Sequence, residues 1–450
     1  MKLRTLSIFE FDNFARKHPL GNYHQTSNYA LLASEQGYEY DMLGLVDEND
    51  NILAASLILI KRISLIYRYG YAPKGFLIDY YNPNLISEFT KALKKYYYKK
   101  NVIFIKVNPE ISIGQINEDR KQIIYNNNKV IESTLEGLNF RKLKSNNHFE
   151  TKIPKFNAVL VLKNTSLKTL SKNTRNKINK GFKYGLSLVK GTRENIEEIY
   201  KFVKNKKNHS INHYYNYYNA FNKTDEIDIF LVKINFEECL INLREKYEEE
   251  NEKNIKLVNQ VMKNPNEDTL RRKLASDEVL ETYRLNIAKS TRFLAESKEK
   301  TIAGAITIKY NNRVYILISG YDLEYKSFSP NYFLHYMLIE HYKKDFDYMD
   351  LNGITGDFSN ENPYKGLDEF KKGFKPLTFE YIGELDFIIN NGTYTNLDIN
   401  GILAKEFKRK EKSNLIDKLT EKNSWLLNYF LFCINFYLTY FFLSIIIQSM

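Results

Sequence analysis

The sequence predicts a mixed α/β fold built from two modules, with a helical arm inserted in the second module and an apolar helix at the C-terminal end. Three observations support this prediction. Short apolar runs typical of strands alternate with helical segments, the same order recurs in the second half, and residues 236–289 have a helical apolar period within a highly charged segment. A chain of 450 residues is long enough for two or three domains.

The first module is predicted over residues 1–155 and includes a β-hairpin. Its two strands flank the segment 48–51, whose Glu-Asn-Asp-Asn sequence favours a tight turn. A third strand, a helix and a fourth strand follow, so that strand and helix alternate. The predicted strands are 42–47, 52–61, 76–80 and 102–107, and the predicted helix is 84–99.

The second module is predicted over residues 156–390 and repeats a similar order. Two copies of one α/β module are the economical interpretation, although no residue-level repeat is evident. The predicted strands are 158–162, 186–189, 301–310, 313–319 and 348–351, and the predicted helices are 167–182, 193–206 and 331–344.

Residues 236–289 predict an antiparallel helical arm that interrupts the second module. The Asn-Pro-Asn sequence at 264–266 marks a turn between two helices. On both sides of it apolar residues recur about every 3.5 positions, with Glu250 and Asn254 as exceptions. The opposite charges of this segment nearly cancel, which is also typical of a solvated helix face.

The charge of the chain suggests a polyanionic partner. The formal net charge is +12, and basic residues are concentrated between residues 141 and 207. Such an excess is typical of proteins that bind nucleic acid. The alternative is that the excess of lysine reflects the base composition of the genome, because a chain rich in Lys, Asn, Ile and Tyr is also typical of an AT-rich genome.

The cysteines and the N-terminal residues favour a reducing cytoplasm. Cys239 and Cys433 offer neither a disulfide framework nor a zinc site. His209 and His213 have helical spacing, but no third ligand is evident, so we expect no metal. The first residues lack the continuous apolar region of a signal peptide.

The C-terminal residues predict a membrane anchor. Residues 425–447 contain no charged side chain and have the length of one bilayer-spanning helix. The preceding segment, 391–424, is a basic linker, which places the body on the cytoplasmic face of a bacterial plasma membrane as a tail-anchored protein. The alternative is a buried core helix or a helical hairpin at the interface, because Asn428 and Asn435 are costly in lipid.

Several loops rich in Gly, Asn, Pro and aromatic residues lie at the ends of predicted strands. Loops in this position are where binding and catalytic residues occur on α/β scaffolds, although any one of them could equally be a structural turn. The loops are 18–27, 71–80, 353–358, 362–374 and 380–386.

Taken together and in this order, the loops resemble the FemABX family of peptidoglycan interpeptide-bridge aminoacyltransferases. The resemblance spans about residues 8 to 390 and is most specific from Gly353 to Asp386. It implies two domains of the N-acetyltransferase (GNAT) type, with the helical arm inserted in the second. It also implies transfer of an amino acid from aminoacyl-tRNA to the stem-peptide amine of lipid II or a UDP-linked muropeptide. No cofactor besides the charged tRNA is expected, and related aminoacyltransferases are expected partners.

The resemblance also implies roles for individual residues. An amine that attacks an ester needs a proton acceptor and a positive group near the developing oxyanion. Lys371, beside Phe370, matches the Phe-Lys pair of the family and is the candidate for the oxyanion, the alternative being a surface lysine. Asp79 and Asp357 are the candidate carboxylates, although Asp357 could equally cap a turn. The expected substrate-binding residues are Tyr71, Lys74, Tyr325, Asn331, Tyr332, Gly353 and Asn362, and the expected tRNA-binding residues are Lys172, Arg175, Lys177, Lys180, Arg271, Arg272 and Lys273.

Two positions depart from the family pattern. Many members have Asp where this chain has Asn108, between Val107 and Pro109, so a general base there is doubtful. Members also often have a lysine shortly after the position of Ala30, where this chain has Leu31, Leu32 and Ala33. A contact with precursor phosphate at that point is therefore missing or supplied by Lys74.

Two other functions remain open from the sequence. One is an acyl-CoA-dependent N-acyltransferase, although the expected pyrophosphate-binding loop is replaced by Phe328-Ser329-Pro330-Asn331. The other is a non-catalytic, tail-anchored scaffold that uses the helical arm to bind partner proteins.

Overall fold

The computed structural model describes residues 1–117, 122–143, 148–149, 153–205, 209–399 and 403. Within them the chain forms two mixed β-sheets with helices on their faces. The strands are β1 (Lys2–Thr5), β2 (Glu39–Val46), β3 (Ile52–Arg62), β4 (Arg68–Ala72), β5 (Val102–Val107), β6 (Ser112–Ile116), β7 (Ile123–Tyr125), β8 (Phe140–Lys142), β9 (Phe156–Val161), β10 (Leu186–Lys190), β11 (Ile227–Asn235), β12 (Glu299–Tyr310), β13 (Arg313–Tyr321), β14 (Tyr348–Gly353), β15 (Leu377–Tyr381) and β16 (Leu385–Ile388). The α-helices are α1 (Ile8–Lys17), α2 (Ser27–Glu35), α3 (Pro83–Tyr98), α4 (Val130–Gly137), α5 (Lys172–Lys183), α6 (Ile196–Val203), α7 (Ile211–Phe221), α8 (Phe236–Lys263), α9 (Glu267–Glu296), α10 (Pro330–Tyr342), α11 (Lys365–Lys372) and α12 (Asn391–Ile399).

The first sheet has the strand order β1-β2-β3-β4-β5-β16-β8. Its two faces carry separate apolar clusters because successive strand residues point to opposite sides. Helix α3 packs on one face through residues such as Phe89 and Leu93. Helices α1, α2 and α12 pack on the other face, where Phe11 and Tyr394 are buried.

The second sheet has the strand order β10-β11-β12-β13-β14-β9-β15-β6-β7. Helices α5 and α10 and the base of the arm cover one face, where Ile178 and Phe333 are buried. Helices α6 and α7 cover the other face through Ile199 and Tyr214. β14 is the central strand, and β13 of the long β12–β13 hairpin pairs with it in parallel.

Strands cross between the two sheets, so the boundary predicted at residue 155 does not separate them. β6 and β7 precede that boundary but belong to the second sheet, and β16 follows it but completes the first sheet. A buried ion pair accounts for the position of β16, because Lys106 of β5 contacts Asp386 at 3.1 Å and Glu384 at 3.5 Å. These carboxylates would be costly to bury without the lysine.

Most elements predicted from the sequence are confirmed, but the strand predicted at 76–80 is wrong. The hairpin of β2 and β3, helix α3, strand β5 and the α8–α9 arm all occur where they were predicted. Residues 76–80 instead form a loop, with Leu77 making a single bridge to Ala55. The chain turns just after β4, at Lys74, which has a φ of 54°. The apolar residues that follow are buried and hold the loop in place.

The arm is a helical hairpin in which polar pairs occupy the gaps in the apolar seam. The Ser276 hydroxyl donates to Glu250 Oε1 at 2.6 Å, and Asn254 Nδ2 donates to Asp277 Oδ1 at 2.8 Å. Glu250 and Asn254 are the two positions that break the predicted apolar period. Such pairs favour one alignment of the helices, because any shift leaves a buried polar group unsatisfied.

The C-terminal predictions fall mostly outside the described residues. Residues 425–447, predicted as a transmembrane helix, lie outside them, as does most of the predicted linker. The start of that linker is instead helix α12, whose Tyr394 donates to Asp386 at 2.9 Å and packs 5.4 Å from the Phe104 ring. In the part of the chain that the structure describes, no helix combines the length and apolar character needed to cross a bilayer.

The base of the arm depends on an aromatic cluster of Phe236, Phe293 and Tyr325, with 4.6 Å between the rings of Phe293 and Tyr325. We expect Phe293→Ala to lower the free energy of unfolding by about 3 kcal/mol, because Phe293 is 1% exposed and its removal leaves a cavity. Urea unfolding of the full chain measures the change. Leu285→Ala on the same helix is the control, since Leu285 is 60% exposed, and an equal loss in both variants would contradict the prediction.

Candidate active site

A polar cleft lies between the two sheets, where loops of the first sheet meet β13 and β14 of the second. We call it the central cleft. Its volume is about 130 Å³, and it adjoins a larger aromatic cleft of about 400 Å³. His24, Ile153 and Asn352 line both clefts. The other polar residues of the central cleft are Asn22, Tyr23, Lys74, Asn157, Tyr315 and Asp350.

Glu110 connects the two sheets beside the central cleft. Its Oε2 accepts a hydrogen bond from Asn22 Nδ2 at 2.8 Å, and its Oε1 accepts one from Arg313 Nη1 at 2.8 Å. Lys74 Nζ lies 4.0 Å from the same carboxylate. Burial alone would raise the pKa of Glu110, but the charges of Lys74 and Arg313 outweigh it and lower the pKa to about 2.

Asn108 positions Lys74, which gives a structural role to the residue that departs from the family pattern. Asn108 Oδ1 accepts a hydrogen bond from the Lys74 backbone N–H at 2.8 Å, and Asn108 Nδ2 donates to the Tyr71 hydroxyl at 3.4 Å. Lys74 is 4% exposed, and its ammonium lies 4.8 Å from the centre of the Tyr381 ring. Tyr71 and Lys74, both predicted to bind substrate, are therefore close together, and Lys74 lines the central cleft.

Asp350 is the buried carboxylate of the central cleft. It is 3% exposed on β14, and its carboxylate accepts hydrogen bonds from Asn352 N at 2.7 Å and from Asn157 Nδ2 at 3.2 Å. Burial raises the pKa of Asp350, and the nearby Arg313 opposes that shift only in part. An aspartate in this state is a stronger base than an exposed one.

His24 lines both clefts as a neutral imidazole. Burial lowers the pKa of His24 to about 3, and the charge of Lys74 acts in the same direction. His24 Nδ1 lies 2.7 Å from Asn22 Oδ1, which can only accept a hydrogen bond. His24 therefore carries its proton on Nδ1, and Nε2 is the nitrogen that can accept a hydrogen bond.

Lys371 lies next to the central cleft but does not line it. Its ammonium donates to the backbone oxygen of Gly353, the residue that follows Asn352 at the end of β14. The side chain is 7% exposed, so Lys371 is not the surface lysine considered as the alternative. The predicted residues Lys371 and Gly353 thus form one contact at the edge of the cleft.

Phe370 lies in an aromatic cluster that joins α10 and α11. Its ring is 4.9 Å from both Tyr332 and His335. The Tyr332 hydroxyl accepts a hydrogen bond from Lys177 Nζ of α5 at 3.1 Å. The backbone oxygen of Asn331 lies 2.8 Å from His335 Nδ1 in the same cluster. The structure therefore brings together four of the predicted residues.

The loop after β14 is held by hydrogen bonds that explain two further predictions. Asn362 is buried, and its Nδ2 donates to the Thr355 hydroxyl at 2.8 Å and to Asp368 at 2.9 Å. Asp357 accepts from Ser359 N at 2.9 Å, and this contact lowers the pKa of Asp357, with a smaller contribution from His148. Asp357 therefore caps a turn, as considered from the sequence.

Several predicted residues lie away from the cleft. Asp79 is exposed and accepts a hydrogen bond from Tyr81 N in a turn. Tyr325 is fully buried at the base of the arm, so the prediction that it lines the acceptor cleft is wrong. The arm cations lie near the distant tip and are paired with acids, Arg271 and Arg272 with Asp268 and Lys273 with Asp277.

The cations of α5 differ in exposure and in whether other groups hold their side chains. Lys172 is exposed, whereas Arg175 donates to the Lys168 backbone oxygen at 2.8 Å. Lys177 is held by Tyr332, and burial lowers the pKa of Lys180. Helix α5 begins near α11, because Ser171 N donates to the Gly373 oxygen at 3.1 Å.

Comparison with known proteins identifies the group to which the chain belongs. A model of the FemAB family matches residues 6–399. The chain belongs to the FemAB family. The resemblance predicted from the loop motifs is therefore confirmed.

Individual FemAB relatives match over nearly their whole length. Aminoacyltransferase FemA from Staphylococcus aureus (strain bovine RF122 / ET3-1) is 22% identical over 406 residues, covering 88% of this chain and 97% of the relative. Aminoacyltransferase FemA from Staphylococcus epidermidis (strain ATCC 35984) is 24% identical over 407 residues with the same coverage. The crystal structure of FemX has a TM-score of 0.67 at 19% identity, covers 88% of this chain and 100% of that chain, and shows the same fold.

The charged centre of the central cleft was not identified from the sequence. Asn22 and His24 belong to a loop that was singled out, but no role was given to them. Asp350 had a signal, since it is a charged residue inside a predicted buried strand. No feature of the sequence indicated a role for Arg313, because its partner Glu110 is distant in the sequence. No group of three or more side chains suited to a metal occurs among the described residues.

We expect Glu110→Gln to change how the stability of the protein depends on pH. The pKa of Glu110 is about 2 when folded, below the ordinary value of 4.5, so the unfolded chain takes up the proton first as the pH falls. Its contribution to stability is complete above pH 4.5 and is lost towards pH 2. In the variant the free energy of unfolding decreases less steeply as the pH falls. At neutral pH the free energy of unfolding is lower by about 3 kcal/mol, because Arg313 loses its counter-ion.

Thermal unfolding of the full chain between pH 2 and pH 7 measures both effects. Glu136→Gln is the control, since Glu136 is exposed on α4. If Glu110→Gln kept the pH dependence of the unmodified protein, the ionic role of Glu110 would be contradicted.

Proposed function

We propose that the protein transfers an amino acid from aminoacyl-tRNA to the stem-peptide amine of a peptidoglycan precursor, building the interpeptide bridge. Membership of the FemAB family supports the reaction. The observation that carries the assignment of the site is the end of β14, where Asp350 and Asn352 line the central cleft and Gly353 binds Lys371. A buried carboxylate and a buried ammonium group therefore lie within a few residues of one another.

The reaction forms one bond and breaks another. The neutral amine of the acceptor attacks the ester carbonyl of the charged tRNA, forming the amide C–N bond. The ester C–O bond then breaks, and the ribose hydroxyl of the tRNA leaves with a proton. Negative charge develops on the carbonyl oxygen in the transition state, where a fixed cation stabilises it most.

Lys371 supplies that cation. Its ammonium is held at the edge of the cleft by the Gly353 oxygen and has little exposure to water, so its charge is already partly desolvated when the oxyanion develops beside it. Phe370 beside it packs on Tyr332 and His335, which fixes α11 against α10. Phe370 therefore acts by positioning, while Lys371 acts on the reacting oxygen.

Asp350 accepts the proton of the attacking amine. It lines the central cleft and its pKa is raised by burial, whereas Asp79 lies in an exposed turn and Asp357 caps another. Lys74, held by Asn108, binds anionic groups of the acceptor at the same cleft. Tyr71 and Asn362 support the two loops that carry these groups.

The charged tRNA approaches along α5. Lys172 is exposed there, and Lys177 connects the helix to Tyr332 beside Phe370. A basic helix that leads to the reacting residues suits a phosphate backbone. Arg271, Arg272 and Lys273 make a weaker contact at the tip of the arm, because nearby acids already offset their charge.

Two finer features belong to the same proposal. Each half of the molecule is a unit of the N-acetyltransferase type, as the family resemblance implies. Residues 425–447 anchor the chain to the cytoplasmic face of the membrane, supported by their uncharged sequence and by the basic residues before them. The acceptor is then the lipid-linked precursor.

We expect Lys371→Met to lower kcat/KM for aminoacyl transfer by about 10² to 10³, the loss typical of removing one group that stabilises an oxyanion. Purified full-length protein is incubated with total charged tRNA and lipid II, and the mass of the stem peptide reports transfer. Lys372→Met is the matched control, since Lys372 is exposed on the same helix. Equal activity of the two variants would contradict a catalytic role for Lys371.

We expect Asp350→Asn to lower kcat by about 10² or more and to remove the acidic limb of the pH–rate profile. A carboxylate must be ionised to accept a proton, so the rate of the unmodified protein rises with pH through the pKa of Asp350. Asp79→Asn and Asp357→Asn are the comparison variants and should keep that limb. Its loss in either of them, with Asp350→Asn unaffected, would assign the proton to that residue instead.

A further inference from the structure

The turn between β3 and β4 exposes apolar side chains far from the cleft. Leu65 is 94% exposed, the highest value for a large apolar side chain among the described residues, and Ile66 beside it is 65% exposed. The turn is ordered, because Ile63 N donates to Tyr67 O at 2.9 Å, and the Ser64 hydroxyl accepts from Tyr67 N at 3.0 Å. Leu65 and Ile66 are therefore held outward by a folded turn.

Basic residues surround these two side chains. Leu65 and Ile66 line a shallow cleft with four cations and two acids. Arg68 pairs with Glu39 at 3.0 Å and Lys100 with Asp41 at 3.0 Å, which leaves a positive excess. The cations of this cleft are Arg62, Arg68, Lys99 and Lys100.

Two details indicate that this excess serves an anionic partner. Arg62 and Arg68 are directly opposite each other on β3 and β4, an arrangement of like charges that destabilises an isolated strand pair. At the end of α3, Tyr98 is 60% exposed beside the exposed Lys99. Apolar tips with flanking Tyr, Lys and Arg are typical of protein surfaces that enter the interface of a bilayer.

We propose that this surface, formed by Leu65, Ile66 and the four cations, docks on an anionic lipid bilayer, with Leu65 and Ile66 inserted below the headgroups. The cations bind lipid phosphates, and each inserted apolar side chain strengthens binding by about tenfold. This contact is separate from the proposed anchor at 425–447, because it involves folded residues of the first sheet.

The topology of the first sheet is compatible with docking in this orientation. The turn lies at the amino end of β4, whereas Lys74 and the central cleft follow its carboxyl end. A bilayer at the turn therefore leaves the cleft uncovered. Helix α12 starts at the same end of the sheet as the turn, since Asn390 N donates to Ile103 O and Arg68 pairs with Val102. The segment that leads to residues 425–447 thus begins its course on the membrane side.

A fluorescent probe at residue 66 tests the insertion in the full-length protein. Ile66→Cys is labelled with a polarity-sensitive dye after Cys433→Ser removes the other reactive thiol, since Cys239 is buried. The control is Ile241→Cys on the arm, where Ile241 is 66% exposed. Vesicles contain equal parts of phosphatidylglycerol and phosphatidylcholine, or phosphatidylcholine alone, and hold no enzyme substrate.

We expect a blue shift and higher emission from the probe at 66 with the anionic vesicles, a weaker response with the neutral ones and none at 241. Arg62→Gln together with Lys99→Gln should remove most of the response at 66. An unchanged probe at 66, or an equal response at 241, would overturn the proposal. A response without vesicles that grows with protein concentration would also overturn it, by indicating a second copy of the chain. None of these results depends on aminoacyl transfer, so this proposal and the proposed function fail independently.

Discussion

The charge of Glu110, whose side chain is only 10% exposed, is the constraint on which the arrangement of the cleft depends. A carboxylate with so little exposure is costly unless donors and cations surround it. Here the donors come from three distant parts of the chain: Asn22 near the amino terminus, Lys74 after β4, and Arg313 at the start of β13. Losing any one of these partners while the sheets stay packed would leave the carboxylate with too little compensation in a poorly solvated site. The same interaction that joins the sheets therefore also fixes Lys74 and keeps the cleft polar.

The exchange of strands strengthens that constraint. Because β6 and β7 leave the first half to join the second sheet, and β16 returns to the first, neither sheet is complete from consecutive residues. The connections that cross between the sheets meet near the cleft, where Ile382 N donates to Ile111 O at 2.9 Å and the Lys74 ammonium lies 4.8 Å from the centre of the Tyr381 ring. The crossing segments thus supply part of the walls of the site. A cleft built this way cannot lose one sheet and keep its geometry, so stability and site geometry are linked.

The sequence predicted the features that depend on neighbouring residues and missed those that depend on distant ones. The hairpin of β2 and β3, the arm and the motif loops follow local apolar periods and turn residues, and all occur in the structure. Strand pairing across the sheets is not encoded locally, so the exchange of β16 and the pairing of Glu110 with Arg313 were not foreseen. The apolar run at 76–80 satisfied the pattern of a strand, yet the left-handed turn at Lys74 made it a buried loop. Tyr325 was expected to bind substrate because of the family resemblance, whereas its ring completes the aromatic base of the arm.

Strand β4 connects the surface proposed to dock on lipid with the central cleft. Its five residues, Arg68–Ala72, rise about 3.3 Å each, so the charged turn and the cleft lie on the order of 17 Å apart along the strand. A strand with neighbours on both sides cannot bend appreciably, so the sheet fixes the distance between the turn and the cleft. An extended chain of about 20 residues reaches up to about 70 Å, so a chain tether by itself sets neither the height nor the orientation of a folded body. A contact on the folded body, as in the proposed docking of the turn, would instead hold the cleft at one height above the lipid.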